Sequence, residues 1–528
     1  MSTLSAWMLL PSQPDNKTSD KVLLIGWIAG IALIVLSRLP QLMGANLLAD
    51  GDEAILGLMA KHISEGRTFE LFFYGQSFGV SLVESLGTAL VFLLLGVSTL
   101  SLKLAALLLW LLGWSFFLLG TRRLTNTYSA LLAGLLLLSC PAWATWSLLA
   151  RGYHIGGFAL AMCCFWQFTR LYPSDQRQLA SSALLGACLG LLLMTQAIWF
   201  LSLCPFTLLL LWKKPAISSR IAVIAGGLGT CLLIIYGASD TASDYWSPRY
   251  LENPDAWLAL KALPQRLLIH LSGAYFYRNP LPASWFNYVA TAAWCALTLV
   301  ALAAFPLMLL RQPKRYLPAA AAIGIILVLT LSLVVDNNFF GYRHLLPVSV
   351  CLCLWLGLYV NNTMPQGAPY FLNAVLIGIA VAAGLVAVLQ ADSLRKPESL
   401  VPTELSAQES MQLLINDVRA EGIAHIYSLD PMLQWQIMFS SNEAIIARWT
   451  DPKDRRPEYP LNVDEALFAN QPVAIVGTAG QLNSFAAVLV SNNYREVEIR
   501  TSGDRYFWVK APTPELLQAA GFALNKTE

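Results

Sequence analysis

Apolar residues run along this chain in stretches too long for a soluble core. Runs of about 16 residues or more begin near Val22, Leu104, Leu131, Ile221, Val289, Ala319, Leu345 and Phe371, and a helix of that length covers most of a hydrocarbon layer about 30 Å thick. The pattern predicts a first span from Val22 to Pro40 and a second from Leu104 to the pair Arg122-Arg123. Further spans are expected near 129–147, 157–171, 181–194, 198–212, 219–238, 288–311, 318–335, 345–360 and 371–390. The polar breaks carry the topology. Arg122-Arg123, Arg170 with Arg177, Lys213-Lys214 with Arg220, and Arg311 with Lys314-Arg315 are the basic clusters, and basic loops mark the cytoplasmic side. Alternation through these spans puts every cluster inside, and puts residues 150–156, the aromatic-rich loop 239–287, residues 336–343 and the tail after Gln390 outside.

One segment breaks the alternation. If Val80–Ser98 crossed the bilayer, a cytoplasmic N-terminus would force Arg122-Arg123 outside. Its polar residues Ser81, Glu84, Ser85 and Thr88 share one helical face. We read it as an interfacial helix inside a long first external loop, about residues 41–100. The alternative is a plain span with an external N-terminus. From about 395 to 528 the composition changes: charge rises and no span remains. Short β-like runs (Ala424–Leu429, Pro472–Gly477, Tyr494–Ile499, Tyr506–Lys510) alternate with helical stretches (Glu404–Arg419, Asn462–Ala469). The expected organisation is a membrane domain over residues 1–394 and an extracytoplasmic α/β domain over residues 395–528. The fold class is a polytopic α-helical membrane protein of about eleven spans.

Composition sharpens this picture. Charged residues make up 12% of the 528 and hydrophobic ones 56%, against about 25% charged in soluble proteins. Residues 1–21 lack the order of a signal peptide. No basic stripe or motif points to nucleic acid. The cysteines all fall in apolar segments, with no zinc signature. Gly226-Gly227-Leu228-Gly229 sits inside a span and reads as close helix packing rather than a nucleotide cradle.

The candidate chemistry is acidic and lies about ten residues past the first span. Asp50-Gly51-Asp52-Glu53 opens a helical pattern that ends at Glu65-Gly66. Carboxylates near a bilayer edge are costly unless they face water, a cation or a reaction. Asp50 or Asp52 is also well placed to cap that helix. Asp50, Asp52 and Glu53 together could hold a divalent cation, although residues 146–157 add no second carboxylate. Arg343-His344 stands at the start of a later span, where a guanidinium fork suits a phosphate. Arg151 and His154 occupy the second external loop. Glu84 reads as a structural group paired with a nearby Arg or Lys. His62, His270 and His425 are isolated along the sequence.

Together these motifs resemble a known family. Gly51-Asp52-Glu53-Ala54, Phe73-Tyr74-Gly75-Gln76, Glu84 and Leu95-Gly96-Val97-Ser98 resemble the first-loop region of the GT-C glycosyltransferases. The likeness is greatest to their family-39-like, phospholipid-carrier-dependent branch, that of the dolichyl-phosphate-mannose-protein mannosyltransferases. Arg122-Arg123-Leu124, Cys140-Pro141, Arg151-Gly152-Tyr153-His154 and Arg343-His344-Leu345-Leu346-Pro347 continue the pattern. Tyr427-Ser428-Leu429-Asp430, Phe439-Ser440-Ser441-Asn442-Glu443 and Arg456-Pro457-Glu458-Tyr459 extend it into the outer domain.

The resemblance implies a cell-membrane enzyme that moves a hexose or pentose from a polyprenyl-phosphate donor, with inversion, to a glycan, lipid or protein acceptor on the non-cytoplasmic side. It implies Asp52 as the catalytic residue. Glu53, Tyr74, Gln76, Arg151, His154, Arg343 and His344 are candidate substrate contacts; no metal ligand is assigned, and metal dependence stays open. A transporter or flippase of lipid-linked sugars would bury ionisable groups at midplane. Here they cluster at the span ends. A non-catalytic scaffold of the same fold is the other alternative.

Overall fold

The apolar runs fold as helices whose ends fall at the polar breaks. A computed structural model describes residues 17–44, 47–76, 78–172, 178–213, 216–237, 261, 263–267, 270, 285–311, 316–335, 341–363, 377–386, 405–494 and 496–524. The domain boundary expected at residue 394, the aromatics Tyr245, Trp246, Tyr250, Trp257 and Tyr275 to Tyr277, and the beginning of the last span at Phe371 lie outside the described residues. The helices in chain order are α1 (Lys17–Leu42), α2 (Gly51–Ser64), α3 (Leu82–Leu95), α4 (Thr99–Leu124), α5 (Thr127–Ser139), α6 (Ala142–Trp146), α7 (His154–Leu171), α8 (Leu179–Thr195), α9 (Ala197–Lys213), α10 (Ile217–Gly237), α11 (Trp285–Arg311), α12 (Tyr316–Val335) and α13 (Leu346–Thr363), the last preceded by a 3₁₀ turn at Gly341–Leu345. The expected span 129–147 is broken at Cys140-Pro141, because proline cannot continue the ladder of helical hydrogen bonds.

Small residues set the closest helix contacts. A Cβ at Gly186 would lie 2.0 Å from the carbonyl oxygen of Val223, and one at Gly226 would lie 2.4 Å from that of Ala183. Backbone meets backbone between α8 and α10, as the glycine cluster predicts. Helices α4 and α7 run side by side in the same direction, with Phe158 filling the notch at Gly113 and Phe165 the notch at Gly120.

The bundle has two chemically different ends. At one, Arg122 Nη2 donates to Ser19 Oγ at 3.3 Å, the Asn126 N–H donates to Asn361 Oδ1 at 2.9 Å, and the Lys213 ammonium lies 4.4 Å from the ring centre of Tyr316. Arg122 and Lys213, from two of the basic clusters, both lie at helix ends there, while Arg177, Lys214, Lys314 and Arg315 lie outside the described residues. At the other end lie the end of α1, the start of α4, the start of α7 and Gln196 in the single-residue break between α8 and α9.

Helix α3 belongs to this second end and does not cross the bundle. Gly87 packs against Leu109, so α3 lies on the part of α4 that projects beyond the start of α7. Its first turn meets α7 through Glu84, which accepts the Gly156 N–H at 3.0 Å, and near its end Phe92 stacks on Phe439. Leu86, Leu90 and Leu94, four residues apart, are exposed. Ser81, Glu84, Ser85 and Thr88 on the opposite side are buried against the protein. Glu84 therefore satisfies a helix N-terminus rather than an Arg or Lys.

The C-terminal region is an α/β layer on this same end. It contains α14 (Ala407–Ala420), β1 (His425–Ser428), α15 (Leu433–Ser440), β2 (Ile446–Arg448), α16 (Glu458–Phe468), β3 (Val473–Thr478), a 3₁₀ turn at Ala479–Gln481, α17 (Leu482–Ser491), β4 (Arg500–Ser502), β5 (Tyr506–Lys510) and α18 (Pro514–Ala519). The sheet order is β2-β1-β3-β5-β4, parallel across β2, β1 and β3 and antiparallel across β3, β5 and β4. The expected strand Tyr494–Ile499 is not one. Tyr494, Val497 and Ile499 instead pack from a connecting segment onto one face of the sheet, and pairing begins at Arg500. Strand β2, three residues long, is too short to show alternation.

The core on the other face is shared between domains. Ala54, Ile55, Leu58 and Met59 of α2 are buried in one cluster with Met411, Leu414, Trp435 and Met438. The helix that carries the acidic motif is thus packed as part of the C-terminal domain's core.

Candidate active site

The acidic motif separates into three carboxylates with three different jobs. Asp50 is the N-cap of α2: its Oδ1 accepts the Glu53 N–H at 3.0 Å, and Glu53 accepts the Asp50 N–H at 3.1 Å, closing a capping box. The second oxygen of Asp50 takes the Arg151 guanidinium, Nε at 2.9 Å. Burial raises the Asp50 carboxyl, but the charges of Arg151 and Lys103 outweigh it and hold the group below the usual carboxylate range. Glu53 is 1% exposed, and both its oxygens face Lys103 Nζ, at 2.5 and 2.6 Å; one of them also accepts the Ala150 N–H at 3.1 Å. Asp52, between them, caps nothing. Its carboxylate is 22% exposed, and Arg455 Nη2 lies 3.8 Å from Oδ1.

These contacts bear on a divalent cation. Asp50 and Glu53 are already bound by a guanidinium and an ammonium, and no group of three His, Cys, Asp or Glu side chains suited to a metal occurs among the described residues. A cation bound by all three carboxylates would have to displace Arg151 and Lys103, so the donor set does not fit one.

The first loop folds back over α2. Phe73 and Tyr74 are buried, and the Gln76 N–H bonds the Phe73 carbonyl at 3.0 Å. Gly75 takes φ +71° and Gly152 φ +82°; a side chain at the first would strike the backbone of Arg455 and at the second the ring of Phe73. Those two turns bring the first loop, the Arg151 loop and the C-terminal domain to one place.

His154 starts α7, buried edge-on to Trp146, with Nδ1 3.0 Å from Gln196 Nε2. Arg343 and Arg151 are close enough for their charges to act on it, and Arg343 Nε lies 3.4 Å from His344 Nε2. The structure thus brings Arg151, His154, Arg343 and His344 together at the mouth of the bundle. Asp52 lies toward the C-terminal domain. Tyr74 turns its hydroxyl away from Asp52 into a separate cluster, and burial raises its phenol well above the ordinary range, so it stays protonated.

That cluster centres on Glu443 and was not anticipated from the sequence. Glu443 accepts from Lys61, from Arg67 at 2.5 Å, from His62 Nε2 at 3.0 Å and from the Tyr459 hydroxyl at 2.9 Å. His62 is far from isolated. Arg456 Nη1 lies 2.7 Å from its Nδ1 and 2.8 Å from the Tyr74 oxygen. A guanidinium only donates, so this geometry assigns the imidazole proton to Nε2, facing Glu443. Asn442 and Glu443 both take left-handed backbone, φ 55° and 61°, a strain the ion pairs offset.

Burial raises the Glu443 carboxyl, yet hydrogen bonds from His62 and Lys61 prevail and hold it well below the usual carboxylate range. A carboxyl depressed on folding contributes stability that is fully present above its unfolded pKa and lost as pH falls toward the folded one. The clamp therefore holds at neutral and mildly acidic pH. Glu443→Gln is expected to cost about 1.5–3 kcal/mol, the range for hydrogen bonds to charged groups. It stays within that range because Glu65 still lies 3.5 Å from Lys61. Thermal unfolding and protease release of the C-terminal domain measure it, and an unchanged midpoint would leave the clamp without energetic weight.

Comparison with solved structures now identifies the architecture. ArnT from Cupriavidus metallidurans bound to undecaprenyl phosphate superposes with a TM-score of 0.60 at 13% identity, over 93% of this chain and 98% of that one. The chain has the GT-C fold. The apo form of the same ArnT gives 0.58 at 14% identity over 93% and 99%. The oligosaccharyltransferase of Archaeoglobus fulgidus, in complex with zinc and sulfate, gives 0.51 at 13% identity over 89% and 69%. No protein-family model matches the chain, and no curated protein matches it by sequence. The GT-C architecture covers both the helical bundle and the α/β layer.

Proposed function

We propose that this chain is an integral membrane glycosyltransferase that moves a hexose or pentose from a polyprenyl-phosphate donor to an acceptor on the non-cytoplasmic side, with inversion. One observation carries the reading. On a GT-C fold, Asp52 is the carboxylate of the acidic motif left clear of capping and close pairing, at the seam between bundle mouth and C-terminal domain. The likeness to an ArnT structure that holds undecaprenyl phosphate supports a lipid-phosphate donor. The basic end of the bundle would face the cytoplasm, which puts the site and the C-terminal domain outside.

The chemistry then divides along the geometry. Asp52 takes the proton of the acceptor hydroxyl or amine as that atom bonds to the anomeric carbon. The bond from that carbon to the phosphate oxygen breaks, and the lipid phosphate leaves as an anion. In an inverting displacement the leaving group departs opposite the nucleophile. The Arg343 guanidinium at the bundle mouth, with the His154 and His344 imidazoles beside it, suits that anion, while Arg151 stays paired with Asp50 at the start of α2. Tyr74 and Gln76 shape the loop above the sugar, and Glu53 fixes the helix that presents Asp52.

The test uses the full chain in lipid nanodiscs with a panel of polyprenyl-phosphate sugars and a detergent extract of envelope lipids and glycans. Release of free polyprenyl phosphate in step with a product of inverted anomeric configuration is expected. Movement of intact lipid-linked sugar across proteoliposomes, with no donor consumed, would replace this reading with a transporter.

A further inference from the structure

Arg455 reaches Asp52 from the other domain, and its setting is built rather than incidental. It lies between β2 and α16, next to Asp454, which is 4% exposed. Asp454 Oδ1 accepts the Arg455 N–H at 2.6 Å while its Oδ2 accepts Gln434 Nε2 at 2.8 Å, so the backbone at 455 is pinned to α15. The side chain lies over the Phe73 ring, 5.4 Å from its centre, and donates from Nη1 to the Tyr74 carbonyl at 3.3 Å. The turn at Gly75 leaves room for it: a Cβ there would sit 2.7 Å from the Arg455 Cα. The other nitrogen, Nη2, ends 3.8 Å from Asp52 Oδ1. That is a charge contact and not a hydrogen bond, so it steers the carboxylate without occupying its lone pairs.

We propose that Arg455 is a positioning residue of the transfer reaction. It fixes the Asp52 carboxylate toward the incoming acceptor and makes the C-terminal domain one wall of the active site. The inference rests on Asp52 acting as the base. Docking alone does not require this arginine at this carboxylate. The Glu443 clamp grips the far end of α2, Phe439 fills the notch at Gly57, and Gln436 Nε2 donates to the Ala49 carbonyl at 2.8 Å.

The experiment compares Arg455→Gln, Arg455→Lys and Asp52→Glu, singly and combined, in the full chain in nanodiscs with a polyprenyl-phosphate sugar. Arg455→Gln is expected to lower kcat about 100-fold, the scale of a misplaced reacting group, with donor and acceptor KM unchanged within about twofold. Arg455→Lys recovers part of the loss. With the base already displaced in Asp52→Glu, Arg455→Gln costs little more. A raised KM at constant kcat would make Arg455 a substrate contact. A fall in thermal midpoint equal to that of Glu443→Gln would make it a docking residue. Either result overturns the proposal. Wild-type turnover in Asp52→Asn would instead remove the base itself, whatever the Arg455 variants do.

Discussion

Asparagine at position 52 is expected to abolish sugar transfer while the protein folds as before. The two halves of that statement have separate causes. Loss of a general base removes about 10²–10⁴-fold in rate, because the amide cannot take the acceptor's proton. The fold should not notice. Asp50 and Glu53, not Asp52, close the capping box, and the 3.8 Å contact with Arg455 involves a carboxylate 22% exposed. An ion pair of that kind contributes about 0–1 kcal/mol. Turnover of the lipid-phosphate donor and the thermal midpoint should therefore part company in this variant. Retained turnover takes Asp52 out of the mechanism, and a collapsed midpoint would mean that its role is structural.

The sequence made the membrane architecture legible because hydrophobic length is a local signal. Apolar runs and basic breaks located the helices and the two ends of the bundle. They also singled out α3, whose residues Ser81, Glu84, Ser85 and Thr88 share one polar face that the structure buries. The motif order carried the GT-C resemblance although no sequence model matches. What the sequence could not show was which carboxylate is free. The resemblance pointed to Asp52, but the engagement of Asp50 and Glu53 shows only when Arg151 and Lys103 arrive from 101 and 50 residues away. A lone lysine in the apolar helix α4 was the available signal for the second. The Glu443 cluster and Arg455 were hidden for the same reason. Their partners lie across the domain seam, and His62 appears isolated when read along the chain. Glu443 and Arg456 did fall inside motifs of the resemblance, but only the fold brings them onto α2.

The buried pair Glu53–Lys103 carries the largest expected stability effect. Both side chains are 1% exposed, and the ammonium faces both carboxylate oxygens at 2.5 and 2.6 Å. Removing one partner of such a pair leaves an uncompensated charge in a low-dielectric site, at about 3–5 kcal/mol. Lys103→Met should therefore lower the thermal midpoint of the solubilised protein sharply. The damage should reach the site, because Glu53 joins the start of α2 to the Ala150 N–H and so sets Asp52 relative to the Arg151 loop. Adding Glu53→Gln should restore most of the midpoint. The amide removes the stranded charge, yet its oxygen can still accept the Asp50 N–H that completes the capping box. Activity measured beside the midpoint separates two readings of the pair. If the double variant regains both, the ion pair serves to hold the helix in place. If it regains stability but stays slow, the Lys103 charge is itself part of the electrostatics around Asp50 and the transfer site. A single Lys103→Met variant that unfolds within about 1 kcal/mol of wild type would contradict the burial on which the whole construction of α2 rests.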